Sequence, residues 1–248
     1  MKRCDCTMDI DLDSESSVEE LLNCIRKSKL AYGYQAECFD ETHPNWREKN
    51  RHSFRVTCGD VELTAYDKSY QLAEEGLMPE ELIPENRLRL EVSMSAHALH
   101  RTLNKYGKDQ LPQTCEEKLQ WCSDRSTELL KEFFGRVLTT GEYLCLEDAV
   151  QRIRESPYRP KQKEEMVAFL LLVRKKWRKG IPGAIEAFRK VYSRDQINGL
   201  LERFERLNLN PATFPDTCTQ KRVPSLMDLI AEKSAVPFSD TADFLTEY

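Results

Sequence analysis

The side chains best able to do chemistry lie on segments that alternate like strands. From Arg3 to Asp11, Cys4, Cys6, Met8 and Ile10 fall on one side, and Arg3, Asp5, Thr7, Asp9 and Asp11 on the other. From Arg87 to Ser93, Leu88, Leu90 and Val92 take the apolar side, while Arg89, Glu91 and Ser93 take the polar side. Tyr66 shares the polar side of its own strand with Glu62 and Thr64. Carboxylates and a phenol on one polar face are groups that bind cations or move protons. Plainer roles stand beside these. Asp5 and Glu91 could be solvated partners of Arg3 and Arg89, and Tyr66 an aromatic that stabilises a sheet. Asp67 falls on the apolar side by parity, so it joins the others only if the strand ends or bulges there.

Cysteine and histidine offer less. Of nine cysteines, Cys4 and Cys6 share a strand face, and Cys115 and Cys122, a heptad apart, could share a helix face. The count is odd and no C-x-x-C pair occurs, so zinc-ligand spacing is missing. Such cysteines are expected to act as small buried hydrophobes in a reducing cytoplasm. The histidines are His43, His52, His97 and His100. His97 and His100, three apart on a helical segment, could share a metal, but helical histidines without a matched carboxylate cluster are more often solvated.

Charge is distributed unevenly along the 248 residues. The net charge is −5, yet residues 159–206 carry 13 Lys and Arg against 6 Asp and Glu, a surplus of seven. Arg174, Lys175, Lys176, Arg178 and Lys179, with Trp177 among them, end one helical segment. Arg189, Lys190, Arg194, Arg203 and Arg206 follow in a stretch that reads as a helix–turn–helix pair. Such a cluster neutralises phosphates. The alternative is a solubilised helix face, with cations favoured at helix C-termini by the dipole.

The elements that must position these groups follow from periodicity. Ser17 and Glu20 form a capping box for a helix carrying Val18, Leu21, Leu22 and Ile25 on one face. Tyr32–Phe39 reads as a second strand and His43–Arg51 as a loop. Phe54, Val56 and Cys58 alternate into a Gly59-Asp60 turn and out through Val61, Leu63 and Ala65, a hairpin. Ala73–Asn86 reads as polar connection. Helices are expected at Ser95–Tyr106, Glu116–Val137, Cys145–Glu155, Gln162–Lys179, Gly183–Val191, Arg194–Leu207 and Ser225–Lys233. The fold class is therefore α+β: an antiparallel sheet of about five strands with packed helices, then an all-helical C-terminal region. The expected division is a sheet domain at 1–108, a helical connector at 109–160 and a basic helical region at 161–248. Met1–Asp13 does not resemble a signal peptide. The longest apolar run, Met166–Val173, falls well short of the ~20 residues that span a bilayer, so a cytoplasmic protein with no membrane partner is expected.

With the elements placed, RCDCTMDI (Arg3–Ile10), the hairpin SFRVTCGDVELTAYDKSYQL (Ser53–Leu72) and RLRLEVSM (Arg87–Met94) resemble a known family. They are similar, in order and in element type, to the R-x-D strand, Y-D-K hairpin end and L-R-x-E strand of rolling-circle replication initiators. Those proteins, and related relaxase-like proteins, serve plasmids, filamentous phages and integrative elements. The resemblance covers roughly residues 2–100, and LNLNPATFPD (Leu207–Asp216) is similar in flavour to the family's C-terminal part. It implies DNA nicking and strand transfer at an origin by a tyrosine, aided by Mg²⁺ or Mn²⁺, with host replication proteins as further partners. Residue by residue, Asp5, Asp67 and Glu91 stand at the acidic, metal-binding positions, and Tyr66 and Lys68 complete the Y-D-K segment. A hard cation would offset charge building on the phosphate, and a tyrosine needs help to act as a nucleophile near pH 7. The chain departs from better-known members in lacking a His-x-His pair and in starting on the first recognisable strand. A shortened, non-catalytic origin-binding protein is therefore the alternative.

Overall fold

A computed structural model describes residues 2–12, 17–28, 30, 33–37, 42, 45–76, 78–106, 111–175, 179–214 and 222–235. Strand β1 (Arg3–Asp11) leads to helix α1 (Val18–Ile25), which Ser17 caps by accepting the Glu20 N–H. Strand β2 (Gln35–Glu37) is shorter than the expected Tyr32–Phe39, whose flanks lie partly outside the described residues. Helix α2 (Trp46–Arg51) occupies much of the stretch read as a loop. Strands β3 (Ser53–Cys58) and β4 (Val61–Asp67) form the expected hairpin, with Gly59 left-handed at φ 56° in its two-residue turn. Helix α3 (Lys68–Glu75) then takes up Lys68–Leu72, read as the end of the hairpin segment, and the first three residues of the expected polar connection. It buries no residue, so it carries no apolar periodicity to read; Asp67 caps its start and left-handed Gly76 its end.

Strand β5 (Arg87–Ser95) enters the middle of the sheet, giving the order β1-β5-β4-β3-β2 with every pairing antiparallel. Alternation then sorts the strands. Cys4, Cys6, Ile10, Phe54, Val56, Leu63, Ala65, Leu88, Leu90, Val92 and Met94 are buried on one face. Helix α1 covers the β3–β4 side of that face. Helices α4 (Ala96–Tyr106), α5 (Cys115–Asp124) and α6 (Ser126–Val137) cover the β1–β5 side. The single helix expected over Glu116–Val137 is two, broken at Arg125. Neither Gly nor Pro marks the break. Ser123, Asp124, Ser126 and Thr127, poor helix formers around Arg125, let the chain turn there. Cys122 thereby reaches β1 while Leu130, Phe133 and Phe134 reach the core separately.

Strand β6 (Tyr143–Leu144) begins a second unit of helices α7 (Leu146–Glu155), α8 (Pro160–Lys175), α9 (Gly180–Phe188) and α10 (Arg194–Arg206). Their core is Ile153, Met166, Phe169, Leu170, Ile185, Leu200 and Phe204 with neighbours. Strand β7 (Arg222–Val223) pairs with β6, and α11 (Leu226–Ala235) returns to pack on α6 and β1. The apolar clusters thus group α5, α6 and α11 with the sheet and α7–α10 together. The segment Leu209–Phe214 joins the two: Leu209 belongs to the second core, and Ala212 and Phe214 to the first. Buried Asn210 holds it by donating to the Thr139 carbonyl at 2.7 Å and accepting the Ala212 N–H at 2.9 Å.

Candidate active-site cleft on the polar sheet face

The strand register dictates which polar side chains meet. Thr7, Glu91, Thr64 and Arg55 form one row across the sheet, Asp9, Arg89, Tyr66 and Ser53 the next, and Asp5, Ser93 and Glu62 the row on the other side. Tyr66 is diagonal to Glu91, within reach of a long side chain. Its phenol donates to Glu91 Oε1 at 2.8 Å. Burial, then this carboxylate, pushes the Tyr66 phenol up to about 12. Arg89, directly opposite Tyr66, donates twice to Asp9 at 2.5 and 2.7 Å, and Arg87 twice to Asp11 at 2.6 and 3.2 Å.

Asp67 ends β4, as parity required, and its side chain turns to the cleft. Oδ1 accepts the Tyr70 N–H at 3.0 Å and Oδ2 lies 3.3 Å from His52 Nδ1. The His52 ring stacks on Tyr70, centroids 3.8 Å apart and 3° from parallel. His52, Tyr66, Asp67, Tyr70 and Glu91 line one open cleft of about 310 Å³. Arg3, Lys49 and Arg55 stand in its walls among Glu62, Asp67, Glu74 and Glu91, and Arg3 pairs with Asp5 at 2.8 Å and Arg55 with Glu62 at 3.4 Å. His52 carries no role in the sequence reading, yet the hairpin register contains it. A two-residue turn that pairs Cys58 with Val61 places His52 opposite Asp67, and the Asp67 N–H donates to the His52 carbonyl at 2.9 Å.

The nominated residues separate into those the cleft gathers and those it does not. Tyr66, Asp67 and Glu91 line it. Asp5 sits a row away, held by Arg3 at 2.8 Å and the Ser93 hydroxyl at 2.5 Å. Burial alone would raise its carboxyl, but those two bonds outweigh burial and hold it below the ordinary range. Lys68 does not line the cleft; it donates to Gln71 at 2.9 Å on α3. Asp5, Asp67 and Glu91 do not converge as a ligand set. Among the described residues, the group of three potential ligands whose donor atoms lie within 4.8 Å of one another is Cys4, Cys6 and Cys122. The hard-cation triad does not fit this arrangement.

The other nominations divide similarly. His97 turns to Asp60 at 2.8 Å and His100 to Asn104 at 3.1 Å, so the two share no site. Cys115 is exposed and Cys122 buried, so the heptad pair does not share an environment. In the basic region Lys175, Arg189, Lys190 and Arg194 are exposed and form no ion pair among the described residues. Arg203, 16% exposed, is tied to Glu165 at 3.4 Å, Arg206 to Glu202 at 3.4 Å and Lys179 to Glu186 at 3.5 Å. Arg174 is half-buried, and Lys176 and Arg178 lie outside the described residues. No described helix is long and apolar enough to cross a membrane.

No family model, no curated protein and no solved structure matches this chain.

Proposed function

We propose that the chain acts on DNA in replication initiation, nicking one strand and holding its end through Tyr66. The observation that carries this is the Tyr66–Glu91 hydrogen bond inside a cleft whose walls include Arg3, Lys49 and Arg55. A phenol raised to about 12 is a weak nucleophile near neutrality unless a base takes its proton as it attacks. Glu91 already accepts that hydrogen bond. In the proposed step Tyr66 Oη attacks phosphorus and its proton passes to Glu91. The 3′ oxygen leaves as a hydroxyl by taking a proton from water, and the 5′ phosphate stays on the tyrosine. Arg3 and Arg55, exchanging Asp5 and Glu62 for the phosphate, would offset charge on its oxygens together with Lys49. The exposed cations Lys175, Arg189, Lys190 and Arg194, within and around the α9–α10 pair, would neutralise duplex phosphates.

One observation favours the non-catalytic alternative: Asp5, Asp9 and Asp11 are each engaged by an arginine, which suits a stable binding face. Incubation with supercoiled DNA carrying the protein's own locus, with Mg²⁺ or Mn²⁺, separates the two. Relaxed circles bearing protein on a 5′ end, abolished by Tyr66→Phe and strongly slowed by Glu91→Gln, are expected. Intact DNA retained specifically and in a salt-sensitive way establishes the binder instead. No affinity for DNA at low salt overturns both.

A further inference from the structure

Independently of the DNA reading, a second site lies on the opposite, buried face of β1. Cys4 and Cys6 point into the core from that strand, and Cys122 meets them from the last turn of α5, whose only buried residue it is. All three are 3–4% exposed, and their sulfurs lie within 4.8 Å of one another. We propose that Cys4, Cys6 and Cys122 form a buried three-thiolate site for a soft monovalent cation, Cu(I).

The geometry and the donor set point the same way. Three sulfurs each about 2.3 Å from one ion stand roughly 4 Å apart, a contraction of less than about 1 Å from the widest separation here. Thiolates select thiophilic ions over Mg²⁺, Ca²⁺ or Mn²⁺. Zinc in structural sites takes four ligands. No His, Asp or Glu joins this group among the described residues. The sulfur of Met94, the residue paired with Cys4 across β1 and β5, is a neutral thioether, a further soft donor of the kind that favours Cu(I). A sealed site of three sulfurs suits Cu(I), which is content with three soft ligands. As the ion enters, each S–H that becomes a ligand releases its proton to solvent. The consequence is a clip between edge strand β1 and helix α5, with its two strand ligands flanking Asp5, which faces the other way.

The test is an anaerobic titration of the reduced full chain with Cu(I), buffered by a chromophoric competitor, followed by X-ray absorption on the loaded protein. One Cu(I) per chain with three sulfur neighbours is expected. Cys122→Ser should weaken binding beyond the roughly tenfold to hundredfold that loss of an outer-shell partner costs, while Cys115→Ser leaves it unchanged. Retention of no ion, nitrogen or oxygen among the neighbours, preference for Zn²⁺, or unchanged affinity in a folded Cys122→Ser protein overturns the proposal. Should Cys122→Ser fail to fold, the absorption result on the unmodified chain decides.

Discussion

Glu142 offers the sharpest test of how the two apolar units are held together. Its side chain is 10% exposed and accepts from Arg152 of α7 at 2.6 Å and from Arg222 of β7. Its backbone bonds Asn208 and Asn210 at 3.0 and 2.8 Å, so the same residue lies at the seam between the two units. Burial would raise the carboxyl, but the two arginines outweigh it and hold it below the ordinary glutamate range. Glu142→Gln keeps the shape but puts an amide against two guanidinium groups. A hydrogen bond to a charged group contributes about 1.5–3 kcal/mol, and the Arg222 bond is discounted because that side chain is 63% exposed. The expected loss is about 2–3 kcal/mol at pH 7. The native carboxyl titrates lower than the unfolded one. Its contribution is therefore complete above the unfolded value of about 4.3 and disappears as pH falls through the lower, native one. Urea unfolding of both proteins at pH 7 and near pH 3 measures this directly. A variant within about 0.5 kcal/mol of the parent at pH 7, or a gap that persists unchanged at the lower pH, refutes the reasoning.

Gly180 tests the contact of α9 with the turn that follows α1. It is left-handed at φ 48°, a Cβ there would lie 2.5 Å from the Lys27 backbone, and the adjacent Ile181 N–H donates to the Lys27 carbonyl at 2.9 Å. Gly180→Ala should cost more than the ~1–2 kcal/mol of the left-handed conformation alone, and a melting temperature equal to the parent's contradicts that close approach. Among the exposed basic residues, Lys175→Ala and Arg194→Ala should each weaken DNA retention across sequences and lower the salt slope by about 1. Salt slopes that do not change in either variant sink the phosphate-contact role. Arg203→Ala, which strips a partner from Glu165, should instead lower thermal stability, and an unchanged melting temperature counts against that pairing.

Much of the site was legible before any tertiary contact. Period-two alternation put Asp5, Tyr66 and Glu91 on polar strand faces, and parity said that Asp67 could turn outward only if β4 stopped there. It does stop, because Asp67 is better used as the cap of α3. The two-residue turn at Gly59-Asp60 even contained the His52–Asp67 pairing. Helix α3 was hidden because nothing in it is buried. The break at Arg125 was hidden because an apolar pattern running through two helices does not record where the chain changes direction.

Sequence by itself determined the α+β class, the five-stranded sheet and which side of each strand is polar, because strand parity and turn chemistry are local. Beyond that hairpin, only the tertiary structure decided which polar groups meet. Strand order put β5 between β1 and β4, so Tyr66 reaches Glu91 while Asp5, a row away, is held by Arg3 and Ser93. It also brought Cys122 to Cys4 and Cys6 across more than a hundred residues. Contacts of that kind depend on how helices pack on a sheet, and no local spacing encodes them.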